Sequence, residues 1–243
     1  MPFLTQKPRV AIMLRGSAKT YREILRGILR FTNQTSAWTV LINQSCERSA
    51  DEKRLQFDRL AVEGIIIDET NPLFQKFSKS KRTPVISDQN TCAKTRTGHQ
   101  RIRLYCDNAA IGRFAADYFL KNGFTSFAYV PDKLRLRWSM DRGNAFGSQL
   151  KASGFTCAHF VSSRRSIHDD QHALSDWLKG LPRPTAVFVA NDARAREVLD
   201  VCLRTGISVP SEIALLGCDD DELICETAIP QLSSIRFSTE TAG

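Results

Sequence analysis

The chain has 243 residues, of which 42% are hydrophobic and 25% are charged, and its formal net charge is +8 at pH 7. This length suits one large α/β domain or two small ones, and the composition is that of an ordinary globular protein. No apolar run approaches the roughly 20 residues that a membrane-spanning helix needs. The N-terminal apolar run stops at Arg15 without a small-residue cleavage site, so we predict neither a membrane span nor a signal peptide.

Cysteine usage and charge distribution exclude further classes of protein. The chain has seven cysteines, with no CxxC pair and most in apolar runs: Cys46, Cys92, Cys106, Cys157, Cys202, Cys218 and Cys225. This pattern indicates buried free thiols in a reducing cytosol rather than disulfides or a zinc site. The densest basic runs, 92–103 and 132–138, match no recognition helix or zinc finger and are typical of solvated loops. The positive charge is only a mild indication of association with DNA.

Apolar patterns in chain order predict alternating strands and helices. The first half predicts strands over 9–14, 38–43, 64–68 and 84–88 and helices over 21–34, 51–63 and 72–79. The second half repeats the pattern, with strands over 102–107, 127–131, 155–161, 186–191, 213–219 and 232–237 and helices over 108–123, 138–153, 168–180 and 192–205. This alternation predicts an α/β fold with two similar lobes, each a parallel sheet with helices on both faces.

Domain boundaries follow from the point where the pattern restarts. We predict an N-terminal lobe of residues 1–105 plus 234–243 and a C-terminal lobe of residues 106–233. The segment STETAG (238–243) predicts the start of a further helix, with Ser238 or Thr239 as its cap. Because this helix stops short at Gly243, we expect the chain to be part of a longer protein.

Short polar side chains follow most of the predicted strands. They are Asp68, Asp88, Asp107, Asn191 with Asp192, and Asp219. Ligands of open parallel sheets bind beyond the carboxyl ends of the strands. Carboxylates accept hydrogen bonds from hydroxyls, and an amide can both donate and accept, so the set suits a neutral ligand with several hydroxyls.

Each of these positions also has a structural interpretation. Asp107 and Asp192 precede helices and are good N-caps, and for Asp107 we favour that role. Asp68 could be a turn residue. Asp88 and Asp219 are harder to explain as caps, because no clear helix follows them at once.

The four consecutive acids at 219–222 could instead bind a metal or act as a catalytic acid and base. Adjacent residues on a strand-to-loop turn diverge, and the spacing of a calcium loop is absent. The four histidines make no ligand set, and no motif pairs a nucleophile with a base. We therefore predict no metal, no cofactor and no enzymatic activity.

Aromatic and basic side chains complete the candidate site. Tyr21 lies just past the first strand, and Trp138 opens the helix that follows the strand 127–131. Both are placed to stack on a sugar, although core packing explains Trp138 equally well. Arg142 lies one turn further on and could bind a ring oxygen or hydroxyl; its alternative role is a surface salt bridge.

The resemblance to a known family is carried by RVAIML (9–14), GIIID (64–68), TPVISD (83–88), DNAAIGRFAADYFLKNGF (107–124), AVFVANDARA (186–195), VPSEIALLGCDDDEL (209–223) and PQLSSI (230–235). Together they resemble the periplasmic-binding-protein-like effector domain of the lactose-repressor/galactose-repressor type, over nearly all of the chain from Arg9. RWSMDR (137–142), DWLKGLP (176–182) and NDARAREVLDVC (191–202) are similar to the xylose-responsive regulators. Those regulators carry an AraC-type DNA-binding domain after the effector domain.

The resemblance implies that a sugar binds between the lobes, with contacts from Tyr21, Asp88, Arg142, Asn191 and Asp219. We add Trp138 from its position alone. Within the acid run, Asp219 is then expected to hold ligand hydroxyls and Asp220 to position the turn. Asp221 and Glu222 are expected to be solvated.

The functional hypothesis is the ligand-sensing domain of a cytoplasmic bacterial transcription regulator. It would bind a small sugar, a pentose such as xylose being the first candidate, and control DNA binding through a domain not in this chain. We expect a homodimer and no membrane association. The alternatives are a solute-binding protein of a sugar transporter and, less favoured, a metal-dependent enzyme.

Overall fold

A computed structural model describes residues 7–14, 19–42, 61–68, 71, 73–77, 85–88, 101–104, 106–161 and 167–243. The chain forms two compact units. The first unit contains Met1–Cys106 and Ser238–Gly243, and the second contains Asp107–Phe237. The second lobe was predicted to end at Ser233, and the second unit ends at Phe237. The strand Ser233–Ile235 lies inside this unit because it pairs with Ile213–Cys218.

The described part of the first unit contains a parallel five-stranded sheet. Its strands are β1 Arg9–Met13, β2 Thr39–Ile42, β3 Gly64–Asp68, β4 Val85–Asp88 and β5 Arg101–Leu104, in the order β2-β1-β3-β4-β5. Helix α1 (Lys19–Thr35) packs Tyr21, Ile24 and Ile28 against one face of the sheet. Phe74, in the short helix α2 (Phe74–Phe77), packs against the other face with Ala11 and Ile67.

The second unit contains a parallel sheet with the same connectivity. Its strands are β6 Phe127–Val130, β7 Cys157–His159, β8 Thr185–Val189, β9 Ile213–Cys218 and β10 Ser233–Ile235, in the order β7-β6-β8-β9-β10. The helices are α3 Asn108–Lys121, α4 Arg137–Ala152, α5 Ile167–Lys179, α6 Asp192–Thr205 and the short α7 Glu222–Cys225.

Alternating apolar residues give the second sheet two buried faces. Phe127 and Tyr129 of β6 pack with α3 and α4, whereas Ala128 and Val130 pack with α5 and α6. The predicted α/β fold, with parallel sheets and helices on both faces, is confirmed.

Two glycines fix the position of α4. A Cβ on Gly112 of α3 would lie 2.2 Å from the carbonyl oxygen of Arg142, and one on Gly143 would lie 2.3 Å from the Tyr129 ring. Only glycine allows these approaches, so α4 is held closely against both α3 and β6. This packing fixes the position of the Arg142 backbone, and therefore the point from which its side chain extends.

Some element boundaries differ from the predictions. Strands β5, β7 and β10 are shorter than predicted, and most of the predicted helix 51–63 lies outside the described residues, with 61–63 not helical. The predicted helix after Ser238 is only a 3₁₀ turn, Glu240–Ala242. Thr239 is its N-cap residue, but its side chain makes no capping hydrogen bond and donates to the Glu23 carboxylate instead. In the part of the chain that the structure describes, no helix combines the length and apolarity required to cross a bilayer.

Candidate functional site

The strand order locates a candidate site in the second unit. Numbered along its own chain, the second sheet has the order 2-1-3-4-5. In such sheets the connections diverge between the first and third strands, and the crevice beyond their carboxyl ends binds ligands. Here that point lies between β6 and β8.

Arg142 of α4 lies at this edge and is only 4% exposed. Its Nε donates to Asn108 Oδ1 at 2.9 Å, and its Nη1 donates to the Ala190 carbonyl oxygen, just after β8, at 2.5 Å. Its Cζ lies 4.8 Å from the ring centre of Trp138 and 5.4 Å from that of Phe237. The interpretation of Arg142 as a surface salt-bridge residue is therefore wrong.

Asp219 follows β9 and faces Arg142. Its Oδ1 lies 3.7 Å from Arg142 Nη1, longer than a direct hydrogen bond, and its side chain is 24% exposed. Its backbone N–H donates to the Ile235 carbonyl oxygen at 3.1 Å. Asp219 and Asp220 have φ values of 114° and 54°, a region that non-glycine residues rarely adopt and that is enriched at functional sites.

A buried carboxylate supports this turn. Asp192, 1% exposed, accepts a hydrogen bond from the Asp221 N–H at 2.7 Å and one from the Ser234 hydroxyl at 2.6 Å. The Ser234 oxygen in turn accepts the Asp220 N–H at 2.9 Å. Burial raises the pKa of Asp192, and the hydrogen bonds from Ser234 and Asp221 oppose that rise only in part.

Asn191 is the N-cap of α6. Its side chain accepts the N–H of Arg194 at 2.8 Å. The suggestion that Asp192 caps this helix is wrong, since Asp192 is the first helical residue and its carboxylate binds the Asp219 turn instead. Ligand contact by Asn191 stays a prediction.

The remaining strand-end acids have different environments. Asp107 caps α3 by accepting the Ala110 N–H at 2.8 Å, which confirms its predicted structural role. Asp221 is 6% exposed, so the prediction that it is solvated is wrong; the Asp192 carboxylate draws its backbone inward. Glu222 is exposed, as predicted.

Two predicted site residues belong to the first unit. Tyr21 is 5% exposed and packs against Ile24 and Ile28 in the core beside β1. Asp88 ends β4, but its side chain lies outside the described residues. Their roles in ligand binding stay predictions.

Three residues around Arg142 and the Asp219 turn were not predicted from the sequence: Asn108, Ser234 and Phe237. Asn108 follows the Asp107 cap, and Phe237 comes just after the last strand, so position relative to a strand end could have indicated both. No comparable signal marks Ser234, because its role depends on Asp192, which is 42 positions away in the chain.

The other side chains that can carry chemistry are potential metal ligands and thiols. Within these residues, no group of three or more His, Cys, Asp or Glu side chains could hold a metal ion. Five cysteines are described, all as free thiols: Cys202, Cys218 and Cys225 are buried, Cys157 is half-buried and Cys106 is exposed. Burial raises the pKa of Cys202 to about 11, so this thiol stays protonated near neutral pH.

A family comparison agrees with this arrangement. The family model of the periplasmic binding protein-like domain matches residues 116–243. The chain belongs to this family. Among its curated relatives, the xylose operon regulatory protein of Haemophilus influenzae is 23% identical over 97% of the chain, which spans 61% of that protein's length. The ribose operon repressor of Escherichia coli K12 is 24% identical over 99% of the chain and 73% of its own length.

A solved structure shares the fold. A xylose-binding transcription activator superposes with a TM-score of 0.75 at 18% identity, covering 97% of this chain and 60% of that one. At this identity the likeness shows the fold alone. It agrees with the two parallel sheets described above.

Proposed function

We propose that this periplasmic binding protein-like chain is the ligand-sensing part of a sugar-responsive transcription regulator. The observation that carries the proposal is the pairing of Arg142 with Asp219 at the carboxyl edge of the second sheet. A guanidinium donates hydrogen bonds and a carboxylate accepts them, so adjacent hydroxyls of one ligand can bind both.

The charge of this edge favours a neutral ligand. The positive charge of Arg142 is offset by Asp219, and that of Arg236 is offset by Asp220, whose Oδ2 lies 3.9 Å from Arg236 Nε. A phosphorylated or carboxylated sugar would place its charge near these carboxylates. The Trp138 and Phe237 rings contact the Arg142 guanidinium and also pack against the core of the unit. Their remaining exposed surface would contact the C–H groups of a sugar.

Names of relatives guide the finer proposal. One regulates a xylose operon and another represses a ribose operon, which supports a pentose as ligand and binding rather than catalysis. We propose that Tyr21, Asp88, Trp138, Arg142, Asn191 and Asp219 contribute to its site. DNA contact would come from a segment outside these 243 residues, of the AraC type, in a cytoplasmic homodimer. A sugar that binds one conformation more tightly than another would shift the population toward it and so alter DNA binding.

Thermal unfolding in the presence of D-xylose, D-ribose and common hexoses tests the proposal. A sugar at about 100 times its Kd adds roughly 2.7 kcal/mol of stability, enough to raise Tm by several degrees. The control adds glucose 6-phosphate, which we expect to give no shift. A shift with none of the neutral sugars would overturn the proposed function.

Asp219→Asn tests the site within that function. The substitution keeps the side-chain shape but removes the negative charge that faces Arg142, and we expect affinity for the bound sugar to fall at least about tenfold. Asp200→Asn, a half-exposed acid on α6, is the matched control and should bind like the parent protein. An affinity of Asp219→Asn within a few-fold of the parent would show that the site is assigned wrongly.

A further inference from the structure

We propose that Asp192 and Ser234 are positioning residues that hold Asp219 in the conformation required for ligand binding. This inference rests on the proposed function, because it assigns a role in sugar recognition to two residues beneath the site. The starting observation is the hydrogen-bond network between α6, the Asp219 turn and β10.

The turn needs external support. Asp219 and Asp220 both have positive φ values, which are unfavourable for residues with a Cβ, and they are consecutive. Such a backbone persists only where the surroundings fix it. Three successive N–H groups are fixed here: that of Asp219 by the Ile235 carbonyl, that of Asp220 by the Ser234 hydroxyl and that of Asp221 by the Asp192 carboxylate.

Ser234 links two of these contacts. Its hydroxyl donates to Asp192 Oδ1 and accepts from the Asp220 N–H. A hydroxyl can do both at once, whereas alanine can do neither. Both carboxylate oxygens of Asp192 are thereby bonded to the segment around Asp219 or to the strand beside it.

Close packing fixes Asp192 itself. A Cβ on Gly217, two residues before Asp219, would lie 2.2 Å from Asp192 Oδ1. The carboxylate therefore rests directly on the backbone of β9. The position of the turn follows from the position of α6 through this contact.

The support of the Asp219 turn by Asp192 and Ser234 should increase the affinity of the site for its sugar. Asp219 Oδ1 lies 3.7 Å from Arg142 Nη1, and Arg142 is held by Asn108 and the Ala190 carbonyl. A site whose donor and acceptor are both fixed before binding loses less conformational entropy when the ligand arrives. Loss of the Asp192–Ser234 support should weaken binding even though the ligand's own partners remain.

The experiment compares five variants of the chain. Ser234→Ala and Asp192→Asn disturb the network, and Ser234→Thr keeps the hydroxyl on a residue that strands accept well. Ser233→Ala removes a hydroxyl from the neighbouring, exposed position of β10, and Asp200→Asn removes an acid from a half-exposed position of α6. Two readouts are taken: amide hydrogen exchange at Asp219–Asp221 without ligand, and the affinity for D-xylose and D-ribose by calorimetry.

We expect Ser234→Ala and Asp192→Asn to speed exchange at Asp219 and to weaken sugar binding about tenfold, while amides of β6 exchange as before. Ser234→Thr should restore both readouts, and the two controls should match the parent protein. Unchanged exchange at Asp219, or unchanged affinity in both disruptive variants, would overturn the inference.

The two proposals fail in different ways. If the parent protein binds neither sugar, pentose binding is refuted, and the exchange data alone then decide the present inference. Faster exchange at Asp219 in Ser234→Ala would still show that the network holds the turn, and unchanged exchange would refute it.

Discussion

In the first unit, the helix that follows β1 carries two buried charged side chains, Lys19 and Glu23; in the second, the helix that follows β6 carries Arg142. Lys19 and Glu23 form an ion pair within one helical turn at 3.7 Å, and Thr239 donates to Glu23. Arg142 instead donates to an amide oxygen and a backbone carbonyl. One strand order can therefore support either an ion pair within one helix or a buried cation that bonds to oxygens of other elements.

That difference has a chemical meaning. A carboxylate that forms a short ion pair with a cation has less capacity for other partners. In the second unit the neutral oxygens of Asn108 and Ala190 hold the guanidinium, and Asp219 stays beyond direct hydrogen-bond distance from Nη1. In the proposed function, a ligand hydroxyl would accept from the Arg142 guanidinium and donate to the Asp219 carboxylate.

Arg142→Met removes the buried cation of the second unit, and we expect it to have the largest effect on stability. It leaves the Asn108 and Ala190 oxygens without their donor and Asp219 without its cation, so the free energy of unfolding should fall by about 3 kcal/mol. Arg137→Met is the control on the same helix, because the Arg137 side chain is 49% exposed, and it should change stability by less than about 0.5 kcal/mol. Urea denaturation measures the free energy of unfolding of both variants. Equal losses would contradict a stabilising role for the buried Arg142 contacts.

Gly217→Ala and Gly64→Ala compare the packing of a strand glycine in each unit, since Gly217 lies in β9 and Gly64 lies in β3. A Cβ on Gly217 would collide with Asp192 Oδ1 at 2.2 Å, whereas one on Gly64 would meet Val10 at an ordinary 3.5 Å. We expect Gly217→Ala to cost about 1–3 kcal/mol. Gly64→Ala should be close to neutral. Denaturation midpoints that move equally would show that β9 is not constrained by Asp192.

Thr239→Val probes the first unit. The substitution keeps the shape of the side chain but removes the hydroxyl that donates to Glu23, and it should cost about 1.5 kcal/mol, as for other hydrogen bonds to charged groups. Thr241→Val, at an exposed position, is the control. Thermal unfolding that is the same for both variants would mean that Glu23 does not depend on this donor.

The ionisation of Asp192 should make the stability of the protein depend slightly on pH. Its pKa is raised above the ordinary 3.8 in the folded protein, so the folded state binds this proton more tightly than the unfolded state. The contribution of Asp192 to stability is therefore greatest below that ordinary pKa and declines as pH rises through the raised value. The difference in unfolding free energy between the parent and Asp192→Asn should shrink over that window. If the stability difference between the parent and Asp192→Asn grew with pH, the pKa of Asp192 could not be raised in the folded protein.

Local patterns predicted most of the fold. Helix α6 runs over 192–205 as its apolar spacing indicated, and β3 ends at Asp68 as its apolar run required. The failures concern contacts between distant positions. Asp221 was expected in solvent, but its backbone N–H donates to Asp192, 29 positions earlier. The burial of Arg142 likewise depends on an oxygen 48 positions away, which no local pattern contains.

The division of the chain has a consequence for its synthesis. The first unit is discontinuous, since Ser238–Gly243 belongs to it, whereas the second is one uninterrupted segment. Glu23 bonds Thr239 across 216 positions. At about 5–20 residues per second, a ribosome adds Thr239 on the order of 10–40 s after Glu23. Helix α1 is therefore synthesised long before its partner exists, whereas the second unit is synthesised as one uninterrupted segment.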